Sequence, residues 1–139
     1  MIRFGTYARG LGAALGVAAL AGCQPSETTA AGQAGLRADR YLGVETRLLG
    51  DDLVNLVVWV AGNARREDVV AYADCAAAQY ALARNYGFAR HVRTSIGRVN
   101  GKWRGDAVYT ISKTLPKGVA KIDAEVAVED CAERGIPTV

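Results

Sequence analysis

Histidine is almost missing from this chain: there is one among 139 residues, with three cysteines, three prolines and an aromatic content of only 7%. One histidine, His91, with no second ligand at helical or hairpin spacing gives no basis for a histidine-centred metal site, and the cysteines lack zinc-ligand spacing. No HExxH sequence, nucleophile elbow or phosphate loop occurs, which removes the common routes to metal-assisted, acyl-transfer and nucleotide chemistry. No cofactor is expected. Charge of one sign is also scarce. The formal net charge is +3, and without Arg3 and Arg9 the balance is 15 Lys+Arg against 14 Asp+Glu, or +1. That leaves no whole-chain argument for nucleic-acid binding. What is present is ordinary for a globular protein: 50% hydrophobic and 22% charged residues, in a length that fits one domain.

The N-terminus is organised differently from the rest. Arg3 and Arg9 precede an uncharged stretch from Leu11 to Leu20, which is followed by Ala21-Gly22-Cys23. A positive start, an apolar stretch and small residues before a cut form a secretory signal, and the stretch is shorter than the roughly 20 residues of a transmembrane helix. Leu20-Ala21-Gly22-Cys23 resembles the lipobox of bacterial lipoproteins. The resemblance implies that residues 1–22 are a signal peptide, that cleavage leaves Cys23 first, and that Cys23 carries the lipid. It also implies a cell-envelope location. Gln24 is not the aspartate that retains such proteins in the inner membrane, so the expected location is the outer membrane, facing the periplasm. Residues 23–40 are then the lipidated cysteine and a flexible tether, since QPSETTAAGQAGLRADR has no aromatic residue and is rich in small and polar ones. Residues 41–139 are expected to form a single domain.

Assigning Cys23 to lipid leaves Cys75 and Cys131. In an oxidising envelope an even pair reads as a disulfide, here closing a loop of about 57 residues and stabilising by about 4 kcal/mol in the chain-entropy model. Two buried free thiols are the alternative.

Residues 42–49 and 53–61 read as strands around the turn Gly50-Asp51-Asp52. The second, LVNLVVWVA, is apolar on both faces: Val54, Leu56, Val58 and Val60 on one, Leu53, Asn55, Val57 and Trp59 on the other. A helix is expected over about 64–86, capped by Asn63 and ended by Gly87, with Glu67, Asp74 and Asn85 on its polar arc. Strands 88–99 and 102–114 flank Asn100-Gly101, the strongest short hairpin signal. A two-residue turn sets Val92 opposite Tyr109, Thr94 opposite Ala107 and Arg98 opposite Trp103 on the core side. It sets His91, Arg93 and Ser95 opposite Thr110, Val108 and Asp106 on the wet side. Residues 123–134 read as a second helix capped by Asp123 and ended by Gly135, with a strand through Val128 as the rival. The expected fold class is α+β: four strands in the order β-β-α-β-β-α, a largely antiparallel sheet, and two helices on one face linked by the disulfide. The opposite face would be uncovered.

The run from Trp59 to Val92 resembles a group of small uncharacterised lipoproteins of alphaproteobacterial envelopes, in the strand ending Val60-Ala61-Gly62-Asn63, the Ala-rich helix, and Tyr86-Gly87-Phe88 leading into a strand. No molecular activity follows from that resemblance. The residues themselves point to a non-catalytic protein-interaction or structural module, with a contact surface on Val57, Trp59, His91, Arg93, Arg98, Trp103 and Arg104. The first alternative is a polyanion or glycan contact through the basic hairpin 88–114, because Cys75–Ile122 holds nine Lys/Arg and one acid. Arg90, Arg93, Arg98, Lys102 and Arg104 with Trp103 would make it. The second alternative is an unrecognised enzyme, which requires a pocket with perturbed ionisable groups near His91. The expected partners are the membrane through the lipid, an envelope protein, or an anionic envelope polymer.

Overall fold

The computed structural model describes residues 39–138; the expected signal segment, Cys23 and all but the last two residues of the expected tether lie outside the described residues. Along the chain run β1 (Tyr41–Leu48), β2 (Leu53–Val60), α1 (Arg66–Ala83), β3 (Phe88–Val99), β4 (Lys102–Ser112), β5 (Lys121–Asp123) and α2 (Ala124–Glu133). The strands form one sheet in the order β1-β2-β4-β3-β5, and every neighbouring pair is antiparallel.

The sheet therefore has five strands, not four. Residues 121–123 pair with the start of β3, and the His91 N–H donates to the Ala120 carbonyl at 3.1 Å. Asp123 then accepts from the Val126 N–H at 3.3 Å and starts α2. The helix expected over 123–134 is present with Asp123 as its cap, and the rival strand stops at Asp123 instead of running through Val128, because the cap turns the chain to helix at Ala124. Gly135, at φ 64°, ends α2, and the Ile136 N–H returns to the Cys131 carbonyl at 2.9 Å.

Helix α1 begins later and ends earlier than expected. Its N-cap is Arg65, not Asn63, and the Asp68 carboxylate accepts from the Arg65 N–H at 2.8 Å. Asn85, at φ 61°, takes the left-handed position expected near Gly87. The Asn85 and Tyr86 N–H groups reach back to the Leu82 and Ala81 carbonyls, each at 2.9 Å. Asparagine tolerates that conformation well enough to end the helix two residues before the glycine.

Of the two apolar faces of β2, Val54, Leu56, Val58 and Val60 point toward α1 and meet Val69, Tyr72, Ala73, Ala76 and Ala77 in the core. Each such buried valine or leucine contributes about 1.5–3 kcal/mol relative to exposure. The helix lies close to the sheet. A Cβ on Gly105 would come within 2.5 Å of Val69 Cγ1 and 2.9 Å of Val58 Cγ2, so the glycine is what permits the approach. Cys75 and Cys131 are bridged, with Cα atoms 6.0 Å apart. Only Ala124 and Cys131 of α2 are buried, with Ala127 and Val128 packed partly buried against the core, and the bridge ties this helix covalently to α1.

Candidate functional site

The register of the β3–β4 hairpin decides where the expected contact residues lie. Asn100 and Gly101, at φ 49° and 76°, form the two-residue turn, and Arg98↔Trp103, Thr94↔Ala107, Arg93↔Val108 and Ser95↔Asp106 pair as expected. At Val92 a β-bulge inserts one unpaired residue, and His91 rather than Val92 sits opposite Tyr109. Every residue from Phe88 to His91 therefore changes face. Ala89 becomes fully buried beneath the helix, Val92 turns out to 45% exposure, and Arg90 is kept out of the core. Exposing a valine costs less than burying an arginine without a partner.

The expected contact surface is consequently split. His91 lies on the helix side, against the edge of the Tyr109 ring at 5.4 Å. Arg98 and Trp103 are also on that side and clamp the hairpin tip onto the β2–α1 turn. The Arg98 guanidinium lies 4.1 Å over the Trp103 ring and donates to the Gly62 carbonyl at 3.0 Å, while Trp103 Nε1 donates to the Ala64 carbonyl at 2.9 Å. A Cβ on Gly62 would collide with the Gly101 carbonyl, which is why this turn is a glycine.

Val57, Trp59, Arg93 and Arg104 remain on the face that, among the described residues, no helix covers. Val57 is no contact residue, being only 1% exposed. Its cross-strand neighbours there are Glu45 and Asp106. Asp106, the single acid of the basic segment, accepts from Asn55 Nδ2 at 2.8 Å and pairs with Arg104 at 3.2 Å and Arg93 at 3.9 Å. Trp59 is half-buried with the Arg104 guanidinium 5.9 Å over its ring. Beside it is a hollow of about 300 Å³ lined by Leu42, Trp59, Val99, Asn100 and Lys102. Leu42 and Val99 are 45% and 40% exposed.

A second concave region lies on the other side, between α1, α2 and β5. The fully buried Tyr109 hydroxyl donates to Asp74 Oδ1 at 2.7 Å. Burial raises the Asp74 carboxyl above its ordinary value, against the lowering effects of the Tyr109 hydroxyl, His91 and Arg134. Burial and the adjacent Asp74 push the Tyr109 hydroxyl far up, so it stays a donor at all ordinary pH. His91 Nε2 lies 2.7 Å from Thr94 Oγ1. Asp74 lines two neighbouring hollows: one of about 270 Å³ with Val70, His91, Lys121 and Ile122, and one of about 400 Å³ reaching the Cys75–Cys131 bridge and Arg134. Among the described residues no three His, Cys, Asp or Glu side chains converge as a metal site.

The family model described as the YNQ4 C-terminal domain matches residues 41–135. The chain belongs to this family. Its matched span runs from the first residue of β1 to the glycine that ends α2, so the family domain contains the whole sheet, the disulfide and both concave regions. A relative described as an uncharacterised 26.9 kDa protein in the nqo8 5' region of Paracoccus denitrificans is 34% identical over 87 residues, 63% of this chain. The chain spans about a third of that relative's length (34%). No solved structure matches. The resemblance to small uncharacterised alphaproteobacterial proteins therefore holds at that level.

A helical wheel puts Asp74 on the polar arc of α1, which does not lead to its pairing with Tyr109. A signal for it existed. Tyr109 was assigned to the core side of β4, and a buried phenol needs an acceptor from whatever covers it. Asp74, one residue from a half-cystine, is the acid in the middle of that covering helix.

Proposed function

We propose that this protein is a bacterial envelope lipoprotein, anchored through lipid on Cys23 at the outer membrane and facing the periplasm, whose domain is a non-catalytic module that docks another envelope protein. The observation that carries the docking reading is the hollow at Trp59 on the helix-free sheet face, rimmed by the exposed Leu42 and Val99 and by the polar Asn100 and Lys102. An aromatic ring and exposed aliphatic side chains mixed with polar groups are the residue types of a protein contact. The Cys75–Cys131 disulfide suits an oxidising compartment, and the Leu20–Cys23 motif supplies the anchor. The polyanion reading has less support. Arg98 and Trp103 hold the hairpin tip, and Arg93 and Arg104 pair with Asp106.

The test is in-cell photo-crosslinking from positions 59 and 99, with the exposed Glu129 on α2 as control. The expected result is a discrete protein adduct from 59 or 99 that is absent from 129 and lost in Cys23→Ala. Heterogeneous adducts to glycan or lipid would favour the polyanion contact; no adduct from either position would reject the docking surface.

One observation favours a second reading, catalysis. His91 and the Asp74 carboxyl, raised by burial, line one hollow, and the Thr94 hydroxyl lies 2.7 Å from His91 Nε2 although it does not line that hollow; these are the residue types of nucleophilic catalysis. Against it, Asp74 Oδ1 accepts from Tyr109. Labelling of Thr94 by a fluorophosphonate, lost in His91→Ala, would establish this reading, and an unlabelled protein would reject it.

A further inference from the structure

The outer edge of β1 carries a self-complementary pattern that the docking hollow does not use. Strand β1 ends the sheet, and among the described residues no strand pairs beyond it. Residues 45–48 are exposed. In an antiparallel ladder, alternate residues bond the neighbouring strand while those between them turn their N–H and C=O groups away. The Leu49 N–H donates to the Leu53 carbonyl at 2.9 Å, and the same register pairs Arg47 with Asn55, Glu45 with Val57 and Gly43 with Trp59. Gly43, Glu45 and Arg47 therefore bond inward. Val44, Thr46 and Leu48 present their backbone groups to the outside.

The geometry points to a second copy of this chain as the occupant of that edge, pairing β1 with β1 antiparallel about a two-fold axis at Thr46. In this register Thr46 faces Thr46 of the second copy and Val44 faces its Leu48. The outward groups of 44, 46 and 48 on both strands then satisfy one another. Glu45 faces Arg47 of the second copy, twice, at the closely spaced non-hydrogen-bonded positions where cross-strand side chains interact most strongly. The charge pattern selects this register. The two nearest registers that also match the outward groups set Glu45 against Glu45 or Arg47 against Arg47, and directly opposed like charges are unfavourable. Val44 and Leu48 on the helix side complete the pairing, covering a leucine that is 54% exposed.

The monomer offers little resistance to this exchange. Glu45 and Arg47 already pair with each other at 2.8 Å, but both are more than half exposed, so that surface pair is weak and its replacement across the interface loses little. The bulge that would blunt the edge lies between Tyr41 and Gly43, leaving 44–48 regular. The product is a continuous ten-stranded sheet with all helices on one face and the two helix-free faces merged. The contact is short, so the dimer is weak and concentration-dependent.

The experiment uses two differently tagged copies of the full chain, co-expressed, solubilised in detergent and captured through one tag. Wild-type copies co-purify. E45R with E45R, and R47E with R47E, set like charges against each other and lose capture by tenfold or more. E45R with R47E restores opposite charges at both positions and regains it. Neither misfolding nor mixed micelles can reproduce failure of each variant alone with recovery of the pair. Equal capture in all four combinations, or none between wild-type copies, overturns the proposal, and neither result bears on the Trp59 hollow.

Discussion

Asp74 shows how one side chain is placed by the needs of another. Tyr109 fills the core at 0% exposure, and its hydroxyl is satisfied by the Asp74 carboxylate. The charge is held at a cost, because burial raises the carboxyl above its ordinary value of 3.8. An acid with a higher value folded than unfolded keeps its proton longer in the folded state. Its contribution to stability therefore falls as pH rises from the ordinary carboxylate value through the folded one, and is level above that. Asp74→Asn keeps an acceptor for Tyr109 and has no charge to desolvate. It is expected to remove that slope and to leave the urea midpoint at pH 7 equal or higher. Asp74→Ala orphans the hydroxyl and should cost about 1–3 kcal/mol. Urea unfolding of the three proteins at several pH values between 4 and 7 checks both; a slope that persists in Asp74→Asn would assign it to another group.

Among the elements, β3 is the one in which a single inserted residue redirects function. The Asn-Gly turn fixes the pairing from Val99 back to Arg93, and that part was legible because turn geometry is local. The bulge at Val92 was not legible. It arises because the start of β3 must pair with both β4 and β5 while lying beneath α1, and no local signal encodes all three neighbours. Deleting Val92 would restore simple alternation, turning Arg90 inward and Ala89 outward. It is expected to destabilise by more than about 3 kcal/mol, since it buries a charge and empties a core position. Val92→Ala, at an exposed site, should stay within about 0.5 kcal/mol of the parent. Thermal or urea unfolding of the two variants separates them, and similar midpoints would show that the bulge is incidental.

For the whole molecule, the disulfide decides how the layers close. It joins α2, which buries two residues, to α1, which buries eight. Cys75→Ala with Cys131→Ala is expected to lose about 4 kcal/mol of unfolding free energy for a closed loop of this length. Urea unfolding of the double variant, and of the parent with and without reductant, measures the loss. A loss below about 1 kcal/mol would mean that packing alone holds α2 in place. Opening α2 would also expose the groove at Asp74, which borders the bridge.

By itself, the sequence determined the class of fold, the turn of the hairpin and the two faces into which the residues of β2 divide, and it offered Cys75 with Cys131 as a pair that the structure shows bridged. Each of these follows from a local or countable cause: alternation, a two-residue turn, and the two cysteines left once Cys23 is set aside. Only the tertiary structure decided the fifth strand, the face of His91, the role of Arg98 and Trp103 as a clamp, and the Asp74–Tyr109 bond. These depend on groups far apart in the chain competing for the same buried space, and the residue that wins is set by which neighbour can satisfy its charge or hydrogen bonds.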